Sequence, residues 1–290
     1  MQIIFNGLIS GAAVALLAVA FQTVYLPTRV FFLGLAGLYS LAPFLALAAQ
    51  NAGLPIAGAL AVAVAAAILL ALLCEWLNHG PLARKNASDG AHLISSLGLY
   101  IVLVQIIAII WGNETKEFRL GQHWTMHIGG VTFTSSQIVM ATVACAALLS
   151  TWLLLRVSDI GLRLRALADD PIQFALFGYN VDGYRLVAFG LAGAFAAGSS
   201  LVTAYDIGFD PYGGLHAVLL AIVAVIIGGR TSFAGPAVGG LLLGLARAEV
   251  VWYLSARWQE AVTFAALALF LLLRPQGLFG HQNRIEATVQ

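Results

Sequence analysis

Residues 54–77 read LPIAGALAVAVAAAILLALLCEWL, with Glu75 as the one charge, close to the end of the run. A helix that crosses the roughly 30 Å hydrocarbon layer needs about 20 mostly apolar residues. On that ruler the run is a membrane span. Applied outward, the same ruler predicts spans near 3–25, 30–50, 91–111, 136–155, 185–205 and 234–254. Two shorter runs, 214–228 and 259–273, reach only about 22 Å at helical rise, so short spans, re-entrant segments and broken helices all fit them. The expectation is an all-α integral membrane protein: a bundle of about 8–10 transmembrane helices with short or broken glycine-rich segments. It is organised as one transmembrane domain over 1–280 and a short tail, 281–290.

Composition agrees. The 290 residues are 61% hydrophobic and 9% charged, and the mean hydropathy is +0.92. Soluble domains are roughly 45–50% apolar with about 25% charge. The net charge of +1 supplies no bulk attraction to nucleic acid, and none is expected as a partner; membrane lipid is. Cys74 and Cys145 are too few and too isolated for a disulfide framework or a metal site. MQIIFNGL has no basic residue before Arg29, so the first run is expected to be a retained span and not a cleaved leader.

Orientation follows from basic residues, which are retained on the cytoplasmic side of short loops. Placing the loop 156–185 inside assigns Arg29, Arg84, Lys85, Arg156, Arg163, Arg165, Arg185, Arg230, Arg274 and Arg284 to the cytoplasm. Lys116, Arg119 and Arg257 fall outside, and Arg247 lies within a span. The N-terminus is then outside and the C-terminus cytoplasmic. Trp76, Trp111, Trp152, Trp252 and Trp258 fall at span ends, where indole rings prefer the headgroup layer. Trp124 sits in the longest outer loop, 112–135, which is a connector, a cap on the outer mouth or a docking site. Pro27, Pro43 and Pro55, together with GGRTSFAGPAVGG at 228–240, are expected to mark helix breaks. Irregular backbone at such depth must be buried in protein or line a cavity.

The densest charge lies mid-chain, in GLRLRALADDPIQFALFGYN at 161–180. Asp170 reads as an N-cap, Pro171 as the first helical residue, and Gln173 as the return partner of a capping box. Gly178 supplies the left-handed stop. A helix of two turns is marginal without tertiary packing. Its spacing puts Phe174 and Phe177 on one face and Ile172 and Leu176 on another. Burying such side chains is worth roughly 1.5–3 kcal/mol each, so a covering surface is expected. Either the loop packs wholly on itself, or the protein's own helix ends cover part and a cleft on a second protein covers the rest, with Arg163, Arg165, Asp169 and Asp170 as a charged rim.

This stretch resembles the cytoplasmic coupling segment, here 157–184, of the permease subunits of branched-chain amino-acid ABC importers. FNGLISGAAVALLAVAFQTVY (5–25), HLISSLGLYIVLVQ (92–105), VIIGGRTSFAGPAVGGLLLGLA (225–246) and LLLRPQGLFG (271–280) resemble other segments of that family in the same order. The resemblance implies that Arg165, Ala166, Ala168, Asp170, Ala175, Gly178 and Asn180 belong to the face that docks on an ATPase. It also implies two ATPase subunits inside, a second permease subunit that is identical or homologous, and an extracytoplasmic substrate-binding protein. On this reading the chain works in a bacterial cytoplasmic (inner) membrane, binds no cofactor of its own, and leaves ATP and Mg²⁺ to the ATPases. Two departures bear on cargo. Phe32–Gly37 lacks the polar residues common there in the family, and Arg247 stands where a Glu is usual. Urea, short amides and other small organic solutes therefore stand beside branched-chain amino acids.

Other chemistry is poorly supported. A phosphate-binding loop needs a Gly-Lys-Ser/Thr ending, whereas Lys85 and Lys116 precede Asn and Glu, so the chain is not the ATPase. His123 and His127 share a helical spacing but have no third ligand nearby. A proton-coupled carrier, the alternative, relies on intramembrane carboxylates. Glu75, Asp206 and Glu260 are read at helix ends and only Glu249 within a span. Asn6, Gln22, Thr23, Ser40, Ser95, Ser96, Gln105, Ser199, Ser200, Thr203 and Arg247 are the candidate pathway residues, each also able to serve another role, the polar ones as glue between helices and Arg247 by snorkelling to the outer interface.

Overall fold

The computed structural model describes residues 2–118, 125–128, 131–274 and 276–279. The 281–290 tail and, in the loop 112–135, Arg119, His123 and Trp124 lie outside them. The helices are α1 (Gln2–Thr28), α2 (Leu35–Asn51), α3 (Ile56–Cys74), α4 (Gly80–Arg84), α5 (Asp89–Trp111), α6 (Ser135–Val157), α7 (Asp159–Asp169), α8 (Pro171–Leu176), α9 (Val181–Ile207), α10 (Gly213–Gly228), α11 (Gly235–Tyr253) and α12 (Gln259–Leu273). A π turn over Glu75–His79 joins α3 to α4.

All nine apolar segments read from the sequence are helices, and the protein is an all-α integral membrane bundle. Among the described residues, five helical stretches are long and apolar enough to cross a membrane, and a sixth counts if α6 and α7, bent by 67°, form one span. The margin below eight to ten arises because α2 and α10 have only 17 and 16 residues. The loop 112–135 contains an element that the sequence reading missed. Strands β1 (Thr125–Ile128) and β2 (Val131–Thr134) pair antiparallel, from Thr125 opposite Thr134 to Ile128 opposite Val131.

Close helix approach organises the core. A Cβ on Gly240 would lie 2.4 Å from Ala15 Cα, and one on Gly244 would lie 2.2 Å from Gly11 Cα. The backbones of α1 and α11 therefore touch, in the manner of small-residue membrane packing. On α3 the alanines at 59, 63, 67 and 71 form the buried stripe, and α9 packs on it through Gly193.

Pro43 does not break a helix as expected; it sits buried inside α2. Proline deprives the carbonyl four residues back of its donor. That carbonyl belongs to Tyr39, and the Ser200 hydroxyl of α9 donates to it at 2.5 Å. Glu75 lies at the end of α3 as read, but neither it nor Arg185, assigned to the cytoplasmic loop, is a solvated charge. Both are buried, with Arg185 Nε donating to Glu75 Oε1 at 2.6 Å. A charge in the bundle interior is retained when it is paired.

Residues assigned to the cytoplasmic side meet one another at one end of the bundle. Arg84 pairs with Asp182 at 2.9 Å. The Gln22 amide donates to the Arg230 carbonyl at 2.7 Å, and the Leu278 and Phe279 amides donate to the carbonyls of Ile227 and Gly228.

Candidate functional site

Two regions stand out: the bent segment at one end of the bundle and a hydroxyl-lined cavity nearer the other. The bend begins at Ser158, whose side chain caps α7 by accepting from Gly161 N–H at 3.3 Å. Leu164 and Leu167 are buried, and Leu164 joins a cluster with Val19, Leu155 and Ala188. The segment is thereby fastened to α1, α6 and α9.

Arg165 is part of that fastening. Its guanidinium donates to the Gly161 and Arg156 carbonyls, each at 3.2 Å, which ties the C-terminal end of α6 to α7 while the side chain stays partly exposed. Arg163 donates to the Tyr184 hydroxyl at 2.6 Å and lies over the Tyr179 ring. Asp169 is exposed.

The short helix α8 is capped as read. Asp170 Oδ1 accepts from Ile172 N–H at 2.8 Å and from Gln173 N–H at 3.0 Å, with Pro171 at the first position. The capping box is only half made, because Asp170 N–H donates to the Ala166 carbonyl. Gly178 turns the chain at φ +84°, and Asn180 caps α9 by accepting from Gly183 N–H at 3.1 Å.

The two phenylalanines part company, contrary to the shared face expected. Phe174 is 3% exposed, stacked on Tyr179 at 5.0 Å and edge-on to Tyr184 at 5.3 Å. The helix ends at Leu176, which throws Phe177 outward. Ile172, Leu176 and Phe177 are 75%, 82% and 79% exposed, an apolar patch on a braced support.

The cavity, about 350 Å³, lies between α1, α2, α9, α10 and α11. Tyr39, Ser40, Ser199, Ser200 and Thr203 line it, with Asp206, Asp210, His216 and Arg247. A neighbouring cavity of about 510 Å³ shares Ser10, Asp206 and Arg247 and adds Asn6 and Gln259. Several hydroxyls are already engaged: Ser199 donates to the Ala13 carbonyl at 2.7 Å, and Ser40 accepts from Gly214 N–H at 3.2 Å. Arg247 donates to Glu260 at 3.1 Å and to Thr263 at 3.2 Å, and His216 lies 3.4 Å from the same carboxylate oxygen.

Of the candidate pathway residues, Asn6, Ser40, Ser199, Ser200, Thr203 and Arg247 line these cavities. Gln22 sits at the opposite end of α1, on the Arg230 and Ser232 carbonyls. Ser95 donates to Asn78 at 2.6 Å, Ser96 accepts from Gly34 N–H at 2.8 Å, and Gln105 is exposed on α5. Sequence reading did not single out Tyr39, Asp206 or His216 for the cavity; isolated polar residues at helix ends carry no spacing that would announce them.

The chain is 28% identical over 295 residues to the high-affinity branched-chain amino acid transport system permease protein LivH of Escherichia coli K12, covering 97% of this chain and 95% of that one. It is 26% identical to the corresponding BraD protein of Pseudomonas aeruginosa, with the same coverage. A fructose import permease protein, FrcC of Rhizobium meliloti, is 26% identical over 63% of this chain and 52% of its own. No solved structure matches. The family described as branched-chain amino acid transport system, permease component, matches residues 3–272, and the chain belongs to it.

Proposed function

We propose that this permease is the membrane subunit of an ATP-driven ABC importer in a bacterial cytoplasmic (inner) membrane. It moves branched-chain amino acids or a similar small polar solute inward by alternating access. The observation that carries the reading is the patch of Ile172, Leu176 and Phe177, exposed on a support braced by Arg165 and by the Phe174 cage. A capped helix of six residues with three exposed large side chains suits insertion into a cleft on an ATPase subunit. ATP and Mg²⁺ stay with that partner, and this chain contributes no cofactor.

The cavity supports passage of a small polar molecule, and an extracytoplasmic binding protein would deliver it. Arg247 and Glu260 form a partly exposed charged pair beside the cavities, with the His216 ring 3.4 Å from the same carboxylate oxygen. Charge at membrane depth is costly against lipid, so this side calls for a polar neighbour, the second permease subunit. The fructose permease among the relatives supports a cargo class broader than amino acids.

The deciding experiment reconstitutes the chain with its co-purifying subunits in liposomes and measures uptake of labelled leucine, urea and fructose with ATP inside. Uptake that needs ATP and ignores the proton gradient is expected. Uptake driven by the gradient without ATP would replace this reading with a secondary carrier.

A further inference from the structure

At the end of the bundle that carries the coupling segment, a groove of about 210 Å³ opens between α1, α10 and α12. One wall is aromatic: Phe21 stands 5.1 Å from Phe31, and Tyr25 stands 6.3 Å from it, both edge-on. Ile226 and Leu271 line the other sides, Arg230 lies at the rim, and no acidic side chain lines the groove. Each walling helix runs out, three or four residues past a groove-lining side chain, into an exposed arginine. Tyr25 is followed by Arg29, Ile226 by Arg230 and Leu271 by Arg274. Backbone bonds hold two of these in place, Arg29 N–H to the Tyr25 carbonyl at 2.9 Å and Arg274 N–H to the Phe270 carbonyl at 2.7 Å. None of the three arginines forms an ion pair among the described residues.

Helix C-termini favour a cation, and cytoplasmic loops collect arginine. Neither fact explains an apolar, aromatic-walled slot with one guanidinium on its rim and two more arginines at the ends of the other helices that wall it. The combination complements a molecule with a hydrocarbon tail and a negative head. We propose that this groove binds one anionic phospholipid of the inner leaflet. Its acyl chain lies along Phe21, Tyr25, Phe31, Ile226 and Leu271, and its phosphate sits on Arg230 with Arg29 and Arg274 beside it. The leaflet assignment rests on the orientation proposed above; the groove and its chemistry do not. A lipid held there joins α1, α10 and α12 through one headgroup.

The test uses the full chain in nanodiscs of phosphatidylcholine with a minor share of phosphatidylglycerol, followed by mild extraction and native mass spectrometry. Retention of phosphatidylglycerol over phosphatidylcholine is expected. Arg230→Gln should lower it roughly fivefold, and the triple change Arg29→Gln, Arg230→Gln and Arg274→Gln about a hundredfold. Ile226→Trp, which fills the slot and leaves the arginines, should also release the lipid, while inorganic phosphate should not compete. No preference between the lipids, retention unchanged in the triple variant or in Ile226→Trp, displacement by inorganic phosphate, or a second protein chain seated over the groove would each overturn the proposal. Labelling of Arg230→Cys from outside the cell would overturn the leaflet. Lipid retention without ATP-driven uptake would count against the transport reading and leave this one standing.

Discussion

Phe177→Asp separates docking from folding. The side chain is 79% exposed and follows the last residue of α8, so the permease loses little internal packing when it changes. Burying a phenylalanine is worth roughly 1.5–3 kcal/mol, and a partner that covers most of this exposed area gains about 2 kcal/mol from it. Losing that gain alone weakens ATPase binding about 30-fold, and the desolvation of a new carboxylate adds to the loss. The assay titrates purified ATPase subunits onto the detergent-solubilised chain and follows complex formation by fluorescence, with the thermal midpoint as a control. Phe174→Ala gives the contrast: its ring is buried against Tyr179 and Tyr184, so it should cost about 3–5 kcal/mol of folding stability. ATPase affinity unchanged by Phe177→Asp, with the midpoint also unchanged, would show that the patch does not dock.

Ser200→Ala leaves the Tyr39 carbonyl without a donor opposite Pro43, and the thermal midpoint should fall by the equivalent of about 1–3 kcal/mol. Arg185→Gln strands the buried Glu75 carboxylate and should cost about 3–5 kcal/mol, with Glu75→Gln in the same chain recovering part of it. Gly244→Ala drives a methyl group into Gly11 of α1 and should destabilise the bundle by about 1–3 kcal/mol. Gly98→Ala meets nothing within 4 Å and serves as its neutral partner in the same melting series.

The helices were legible in the sequence because an apolar run of sufficient length has few alternatives in a bilayer. The capping of α8 was legible because Asp-Pro and a later Gly act locally. What depended on neighbours was hidden. Pro43 looks like a break until α9 supplies Ser200, and Glu75 looks like a helix-end charge until α9 supplies Arg185. The separation of Phe174 from Phe177 depends on where Tyr179 and Tyr184 come to rest. A spacing of three residues cannot reveal that. The cavity was half legible: Ser40, Ser199, Ser200 and Thr203 stood among the polar candidates, but their convergence with Ser10 of α1, Asp206 of α9 and Arg247 of α11 depends on how the helices meet.

The 67° bend between α6 and α7 has a mechanical consequence. A helix of eleven residues is about 16 Å long, so a tilt of about 10° at its base carries the far end, where α8 sits, through about 3 Å. The base cannot slip, because Arg165 is fastened to the Arg156 carbonyl. Nor does the shaft yield along its length, since Leu164 is wedged among Val19, Leu155 and Ala188. On the proposed docking, a push on α8 would reach α1 and α9 as a torque on whole helices, and Ser199 and Ser200, bonded to α1 and α2, would carry it on to the walls of the cavity.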